Sequence, residues 1–271
     1  MYLCGPDSSQ VLGVKPNNSL NGVPIVCPPA KSELDVANLT SFSIYSYHSI
    51  YITTEGIIKA IGSNKGNRIF EDLPNEITEY TEFQIKDSEG KIYHPISVVC
   101  GNEYSLYLVS DPSNGEKRHL VYSSVSNPDE KPIFLLIGHH NPVVIYGGED
   151  HSAAIDSDGQ ILIVKGEFDS DTVLEEIPIV KLPHHERAIS VACLKNKYIA
   201  LASSGKVYIS QNEEHQFALV KELEKVQITQ ISGVMLHCIA VSNDGRAFGF
   251  GSNNFGKLLL PKETKEVDKF T

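Results

Sequence analysis

The stretch from Gly233 to Leu260 reads GVMLHCIAVSNDGRAFGFGSNNFGKLLL, and it decides the fold. An apolar run, His237-Cys238-Ile239-Ala240-Val241, meets a polar reversal at Asn243-Asp244-Gly245, and a second short run follows at Ala247-Phe248-Gly249-Phe250. Asp-Gly between two apolar runs signals a β-hairpin, because glycine takes the positive φ that a two-residue turn of the right hand demands. Gly251-Ser252-Asn253 is then a loop signal, and the chain leaves through Phe255-Gly256-Lys257-Leu258.

The same phrase recurs. His151-Ser152-Ala153-Ala154-Ile155-Asp156-Ser157-Asp158-Gly159 matches it closely, as does His48-Ser49-Ile50-Tyr51-Ile52-Thr53-Thr54-Glu55-Gly56, which runs on into Gly62-Ser63-Asn64. Tyr198 to Gly205 is a weaker copy, and Tyr104 to Val109 a fifth, with a longer turn through Asp111-Pro112-Ser113-Asn114-Gly115. A histidine stands eight positions before the turn glycine in three copies: His48, His151 and His237 before Gly56, Gly159 and Gly245. Gly205 is the fourth unit's turn glycine, and Gly62 and Gly251 each fall six positions after one. Repetition at a spacing of roughly 40 to 60 residues points to a solenoid, propeller or array.

The units are expected as follows. Residues 1–14 read as the second half of a unit, so the chain begins in mid-repeat, and Val23-Pro24-Ile25-Val26 reads as an edge strand because proline cannot donate to a central ladder. The first full unit runs from about Val36 to Pro74, with a further strand and turn around Phe83 to Gly90; the second spans Ile96 to about Val125. The third ends near Phe168, an acidic linker covers Asp169 to Glu176, and the fourth occupies about Ala188 to Ser210. Gln211 to Glu224 reads as helical or irregular, Val226 to Ile231 opens the fifth unit, and the tail from Pro261 ends as though another unit should begin. One domain over residues 1–271, a leading half unit and about five full ones, is expected. Many short strands with regular turn signals make it all-β, and units of this length suit a four-stranded propeller blade.

Composition narrows the function. The 271 residues carry 23 basic and 34 acidic side chains, a net charge of -11, which argues against a nucleic-acid partner whose phosphates need lysine and arginine. Five scattered cysteines, Cys4, Cys27, Cys100, Cys193 and Cys238, suggest buried thiols more than a disulfide framework, hence a cytoplasmic or nuclear location. No apolar run approaches the roughly 20 residues of a membrane span, and no secretory signal segment opens the sequence.

Gly148-Glu149-Asp150-His151-Ser152 and Gly251-Ser252-Asn253-Asn254-Phe255-Gly256-Lys257-Leu258 carry a resemblance to the repeat of the regulator of chromosome condensation family. The chain departs from that pattern at Tyr45, where a glycine would precede His48, and at Lys197, where the fourth unit's histidine would stand; tryptophan is absent. The resemblance implies a β-propeller. Family members have seven blades, so five units plus a half leave ring closure open. It also implies a choice of roles: founding members are exchange factors for the GTPase Ran that dock on chromatin, and many relatives are interaction modules.

No catalytic motif competes. Gly249-Phe250-Gly251 lacks the third glycine of a dinucleotide fingerprint, and neither a Walker-type Gly-Lys-Ser/Thr nor a Gly-x-Ser-x-Gly occurs. His139-His140 and His184-His185-Glu186 raise zinc, but adjacent histidines on a strand point apart and no matching Cys or His spacing accompanies them, so no metal or other cofactor is expected. The repeated histidines and glycines are read as structural repeat positions. Glu149, Asp150 and Asp158 are candidate contacts for a basic partner, although a solvated surface is the default for such residues. The function expected is a non-enzymatic protein-interaction module, with guanine-nucleotide exchange on a small GTPase of the Ran type as the alternative.

Overall fold

Short strands with apolar faces must share their backbone hydrogen bonds with neighbours, and this chain does so almost entirely by antiparallel meanders. The computed structural model describes residues 2–3, 30–31, 38–125, 131–165, 177–195, 197–211, 216–261 and 263–271. The chain divides into two compact units, Met1–Leu136 with Gly166–Glu175, and Ile137–Lys165 with Glu176–Thr271. No α-helix occurs among the described residues.

In the first unit, β1 (Tyr2–Leu3) pairs with β2 (Ala30–Lys31). A four-stranded sheet follows in the order β3 (Leu39–Tyr45), β4 (His48–Thr53), β5 (Ile58–Ser63), β6 (Glu76–Phe83). A second consists of β7 (His94–Cys100), β8 (Tyr104–Asp111), β9 (Asn114–Ser124) and β10 (Ile133–Phe134). Their faces meet in a core where Ile50, Ile52, Ile58 and Phe70 pack with Val98, Tyr107, Val109 and Val121.

The second unit opens with β11 (Pro142–Gly147), β12 (His151–Asp156), β13 (Ile161–Lys165) and β14 (Ile179–Val180) in one sheet. Two more meanders follow: β15 (Ala188–Leu194), β16 (Lys197–Ala202), β17 (Val207–Ser210), β18 (Phe217–Leu219), then β19 (Ile228–Met235), β20 (His237–Ser242), β21 (Ala247–Ser252), β22 (Glu266–Val267). A short parallel contact between β15 and β19, Cys193 opposite Val234 and Leu194 opposite Met235, joins these two into one sheet.

The side-chain period of two explains why the middle strands read as unbroken apolar runs. On β16, Tyr198, Ala200 and Ala202 face the β11–β14 blade, packing with Ala153, Ile155 and Ile163. Ile199 and Leu201 face the other way, towards Cys238, Ala240 and Phe270 of the last blade. A strand buried on both faces has no polar side to show.

Two features recur in every full blade or nearly so. The first strand slips register one residue from its start, between Leu39 and Ser41, Pro95 and Ser97, Pro142 and Val144, Ala188 and Ser190, and Ile228 and Gln230. These are β-bulges, each bending its strand where it enters the sheet. The second feature corrects the expected turn. Ser242 N–H donates to Arg246 O at 2.9 Å while Gly245 N–H donates to Ser242 O at 3.0 Å, which closes a loop of three residues, not two. Gly245 has φ +83°, and neither Asn243 nor Asp244 has a positive φ. This is a type I turn closed by a left-handed glycine; Gly56, Gly159 and Gly205 repeat it at φ +78°, +76° and +82°.

Other expectations shift. Gln211 to Glu224 contributes β18 and a short 3₁₀ turn at Lys221–Leu223, because Tyr208, Ile209 and Ser210 offer a free ladder edge that Phe217 to Leu219 occupies. The tail beyond Pro261 completes the last blade: Val267 and Glu266 pair with Gly251 and Ser252. The turn after Val109 is tight, with Asp111 opposite Asn114 and Gly115 already inside β9. Val23 to Val26, and residues 1–14 apart from β1, lie outside the described residues.

Candidate interaction site

The spacings of eight and six residues become registers. His48 lies opposite Gly62, and His237 opposite Gly251. In the third blade Lys165 takes the glycine's place opposite His151. Gly62 (φ +109°) and Gly251 (φ +88°) bend their strands over the preceding turn, so that Ser63 N–H reaches Tyr47 O and Ser252 N–H reaches Leu236 O, each at 2.8 Å. A Cβ on Gly62 would stand 2.4 Å from Tyr47 O, and one on Gly251 2.1 Å from Leu236 O. Only glycine fits such an approach.

Two of the histidines, His48 and His151, meet the adjacent blade. His48 is wholly buried, with Nε2 2.9 Å from Ser105 Oγ of the adjacent blade. Burial, helped by the Arg68 guanidinium, pushes its pKa down to about 3, so the ring is neutral. His151 meets the Tyr198 ring of the next blade edge-on at 6.1 Å. His237 is also pushed below the ordinary histidine value, first by burial and then by Lys257. The turn glycines make a second joint: Gly159 O accepts from Ala188 N–H at 2.9 Å, and Gly205 O from Ile228 N–H at 3.1 Å, each linking one blade's turn to the next blade's first strand.

The acidic candidates do not come together. Glu149 and Asp150 are half-buried in the turn before β12, whereas exposed Asp158 lies in the turn after it. The six residues of β12 between them span about 20 Å. Asp158 N–H donates to Asp156 Oδ1 at 2.9 Å, which ties this turn to its own strand.

Nor do the thiols among the described residues offer a nucleophile. Cys100, Cys193 and Cys238 are buried and free, and burial pushes the Cys100 and Cys238 thiols up to about 12 and Cys193 higher still. Among the described residues no three or more metal-ligating side chains gather. No helix among them is long and apolar enough to cross a membrane.

Sequence reasoning noticed Gly-Ser-Asn but not what its asparagine does. Asn64 is buried, donates from Nδ2 to Phe70 O (3.0 Å) and Leu73 O (3.1 Å), and accepts at Oδ1 from the N–H groups of Ile69 (2.9 Å) and Phe70 (3.1 Å). Asn253 repeats this, donating to Leu260 O, Pro261 O and Thr264 O and accepting from Leu258 N–H. Each asparagine folds the long loop between the third and fourth strands of its blade around one side chain.

On that shared frame the two loops differ at their tips. Two residues after Asn64 stands Gly66, at φ +64°, close against the next blade: a Cβ there would meet Val125 Cγ1 at 2.9 Å. Two residues after Asn253 stands Phe255, also at φ +64°, and it is 101% exposed. Six residues after each asparagine, Phe70 is buried in the core, while Leu259 is 94% exposed at φ +57°. Aligning the two Gly-Ser-Asn copies would have flagged Phe255 as standing where its counterpart is glycine. Met235 and Leu236, at the adjacent β19–β20 turn, are 36% and 47% exposed.

No family model matches the sequence, and no curated protein sequence matches it. Solved structures do match. Human WBSCR16 superposes with a TM-score of 0.75 at 15% identity, over 100% of this chain and 77% of that one. Prp20p from Saccharomyces cerevisiae, described with its binding properties to Gsp1p and histones, gives 0.71 at 18% identity over 100% and 73%. The fold is that of the regulator of chromosome condensation propeller. Yeast RCC1 (Prp20) bound to Kap60 gives the same result, with a TM-score of 0.74 at 13% identity over 98% of this chain and 68% of that one. In this propeller repeat, then, the histidine, the two glycines and the asparagine all have structural work within or between blades. What differs between the blades of Asn64 and Asn253 is the tip of the loop that the asparagine holds.

Proposed function

We propose that the chain is a non-enzymatic protein-interaction module and that the β21–β22 loop of its last blade is a contact it offers to a partner. The observation that carries this is the pair Phe255 and Leu259, bulky, almost entirely exposed and both in left-handed backbone. A non-glycine residue held there costs of order 1 kcal/mol or more, and burying either side chain would recover roughly 1.5–3 kcal/mol. A folded chain alone gains nothing from this arrangement; a complex does. The test compares proteins retained by the chain and by its F255G variant from the same cell extract. A specific partner lost on substitution supports the proposal, and an unchanged set of partners removes this loop as the contact. The buried free thiols support a cytoplasmic or nuclear setting, which imaging of the tagged chain would check.

The likeness to Prp20p, described with its binding to Gsp1p, favours a second reading, exchange on a small GTPase of the Ran type. Loops would displace the nucleotide without covalent chemistry. Stimulated release of labelled GDP across a panel of small GTPases tests it, and a flat response throughout would remove it.

A further inference from the structure

His139 and His140 were expected to point apart, as neighbours on a strand do. They do not lie on a strand. Gly138, at φ +56°, and a hydrogen bond from His140 N–H to Ile137 O (3.1 Å) close a turn here, ahead of β11. The two rings lie side by side in a tilted arrangement, with centroids 4.3 Å apart and planes inclined by 34°.

One of these rings is also backed by a carboxylate. His140 Nδ1 is 2.6 Å from Asp156 Oδ2, and the two side chains are only 8% and 1% exposed. Asp156 is fixed in turn by accepting at Oδ1 from the N–H groups of Asp158 (2.9 Å) and Gln160 (2.8 Å). A carboxylate oxygen requires a donor, so Nδ1 of His140 carries a proton, and Nε2 is the ring nitrogen left free of Asp156. Carboxylates orient metal-binding imidazoles in this way, fixing the tautomer and raising the basicity of the remaining nitrogen.

We propose that His139 and His140 form a two-nitrogen chelate for a borderline divalent transition ion, copper(II) or zinc(II), with Asp156 as the residue that positions His140. No third protein ligand of the histidine, cysteine or carboxylate type joins them among the described residues. Water therefore completes the coordination, and the affinity expected is micromolar, far short of that of a closed structural zinc site. Imidazole donors and the usual order of divalent affinities favour copper(II) over zinc(II).

The experiment titrates the whole chain with copper(II) chloride, and separately with zinc(II) chloride, in a non-chelating buffer by calorimetry, and records the paramagnetic resonance spectrum of the copper-loaded protein. One saturable site is expected, tighter for copper and with nitrogen hyperfine structure from two imidazoles. H139A and H140A each weaken it at least tenfold. D156N weakens it by 10- to 100-fold and alters the copper spectrum, which loss of a merely structural carboxylate would not do. The H184A/H185A double variant, with the chain's other adjacent histidines replaced, leaves it intact. Unaltered far-ultraviolet dichroism shows that each variant is folded. Lack of saturation at hundreds of micromolar metal, binding that survives in the H139A/H140A double variant, or equal loss in the H184A/H185A control would each overturn the proposal.

Discussion

The imidazole of His48 on β4 is joined to the hydroxyl of Ser105 on β8 across 2.9 Å, with both side chains wholly buried. With its pKa pushed down to about 3, the folded ring refuses a proton that the unfolded chain accepts at about 6.5. The unfolded state thus binds more protons in this interval, and stability must rise with pH through it. His48 contributes fully above pH 6.5, and its contribution falls by up to about 1.4 kcal/mol per pH unit as the solution is acidified. Urea unfolding between pH 7 and 5, above the carboxylate range, should show this slope, and H48Q should flatten it. A slope unchanged in H48Q would assign the effect to His237 or His119, both also below their ordinary value.

The positive-φ glycines divide into two classes of tolerance. Nothing lies within 4 Å of a Cβ built on Gly245, so Gly245→Ala meets only the backbone penalty, about 1 kcal/mol. Gly159→Ala adds contacts of 2.7 Å with Arg187 Cβ and 3.0 Å with Arg187 Cα, which only a small shift of the Arg187 backbone relieves. Gly62→Ala and Gly251→Ala drive a methyl group into backbone carbonyl oxygens, and a loss on the order of 3 kcal/mol or more is expected. The order of denaturation midpoints, Gly245→Ala above Gly159→Ala above Gly62→Ala and Gly251→Ala, is the measurement. Equal effects would mean that the strands relax where these contacts say they cannot.

What was legible in the sequence was whatever depends on local chemistry. Asp-Gly and its relatives mark reversals because left-handed backbone needs glycine, and the apolar runs at Ile50–Ile52 and Tyr198–Leu201 mark strands buried on both sides. The loop length was misjudged because two- and three-residue turns both place glycine at positive φ, and only the bond from Gly245 N–H to Ser242 O separates them. The strands β18 and β22 were missed because short edge strands are set by the ladder they complete. Their own residues, Phe217–Leu219 and Glu266–Val267, carry little signal. Phe255 carries no such local signal, since its left-handed angle belongs to the turn that Gly256 N–H closes on Asn253 O and not to its own side chain.

The loop-organising asparagines should be irreplaceable by shape alone. Asn253→Ala removes four hydrogen bonds and strands the carbonyls of Leu260 and Thr264 together with Leu258 N–H, while Pro261 O keeps the N–H of Thr264. Asn253→Asp keeps the acceptor but loses the donor. Each should destabilise by roughly 2 kcal/mol or more, since every polar group left unpaired costs of order 1 kcal/mol. Hydrogen exchange at Leu258, whose N–H bonds Asn253 Oδ1 at 3.0 Å, should accelerate in Asn253→Ala and stay slow in Asn253→Asp. Fast exchange in both would show that water, not this side chain, satisfies the loop.

Phe255 separates stability from binding in one residue. Its left-handed backbone lies in the turn that Gly256 N–H closes on Asn253 O at 2.9 Å, so Phe255→Ala keeps the strain and should leave the melting temperature nearly unchanged, the lost ring having packed against nothing. Phe255→Gly relieves the strain, worth roughly 1–3 kcal/mol, while the added freedom of the unfolded chain returns about 0.4–1 kcal/mol of that. A net gain of about 1 kcal/mol is expected, visible as a higher urea midpoint at unchanged slope. Such a gain means the native residue is kept at the expense of the fold's own stability, which selection tolerates where a side chain acts on something outside the chain. If Phe255→Gly proved no more stable than Phe255→Ala, the backbone at this tip would be unstrained, and the case for the loop as a contact would rest on exposure alone.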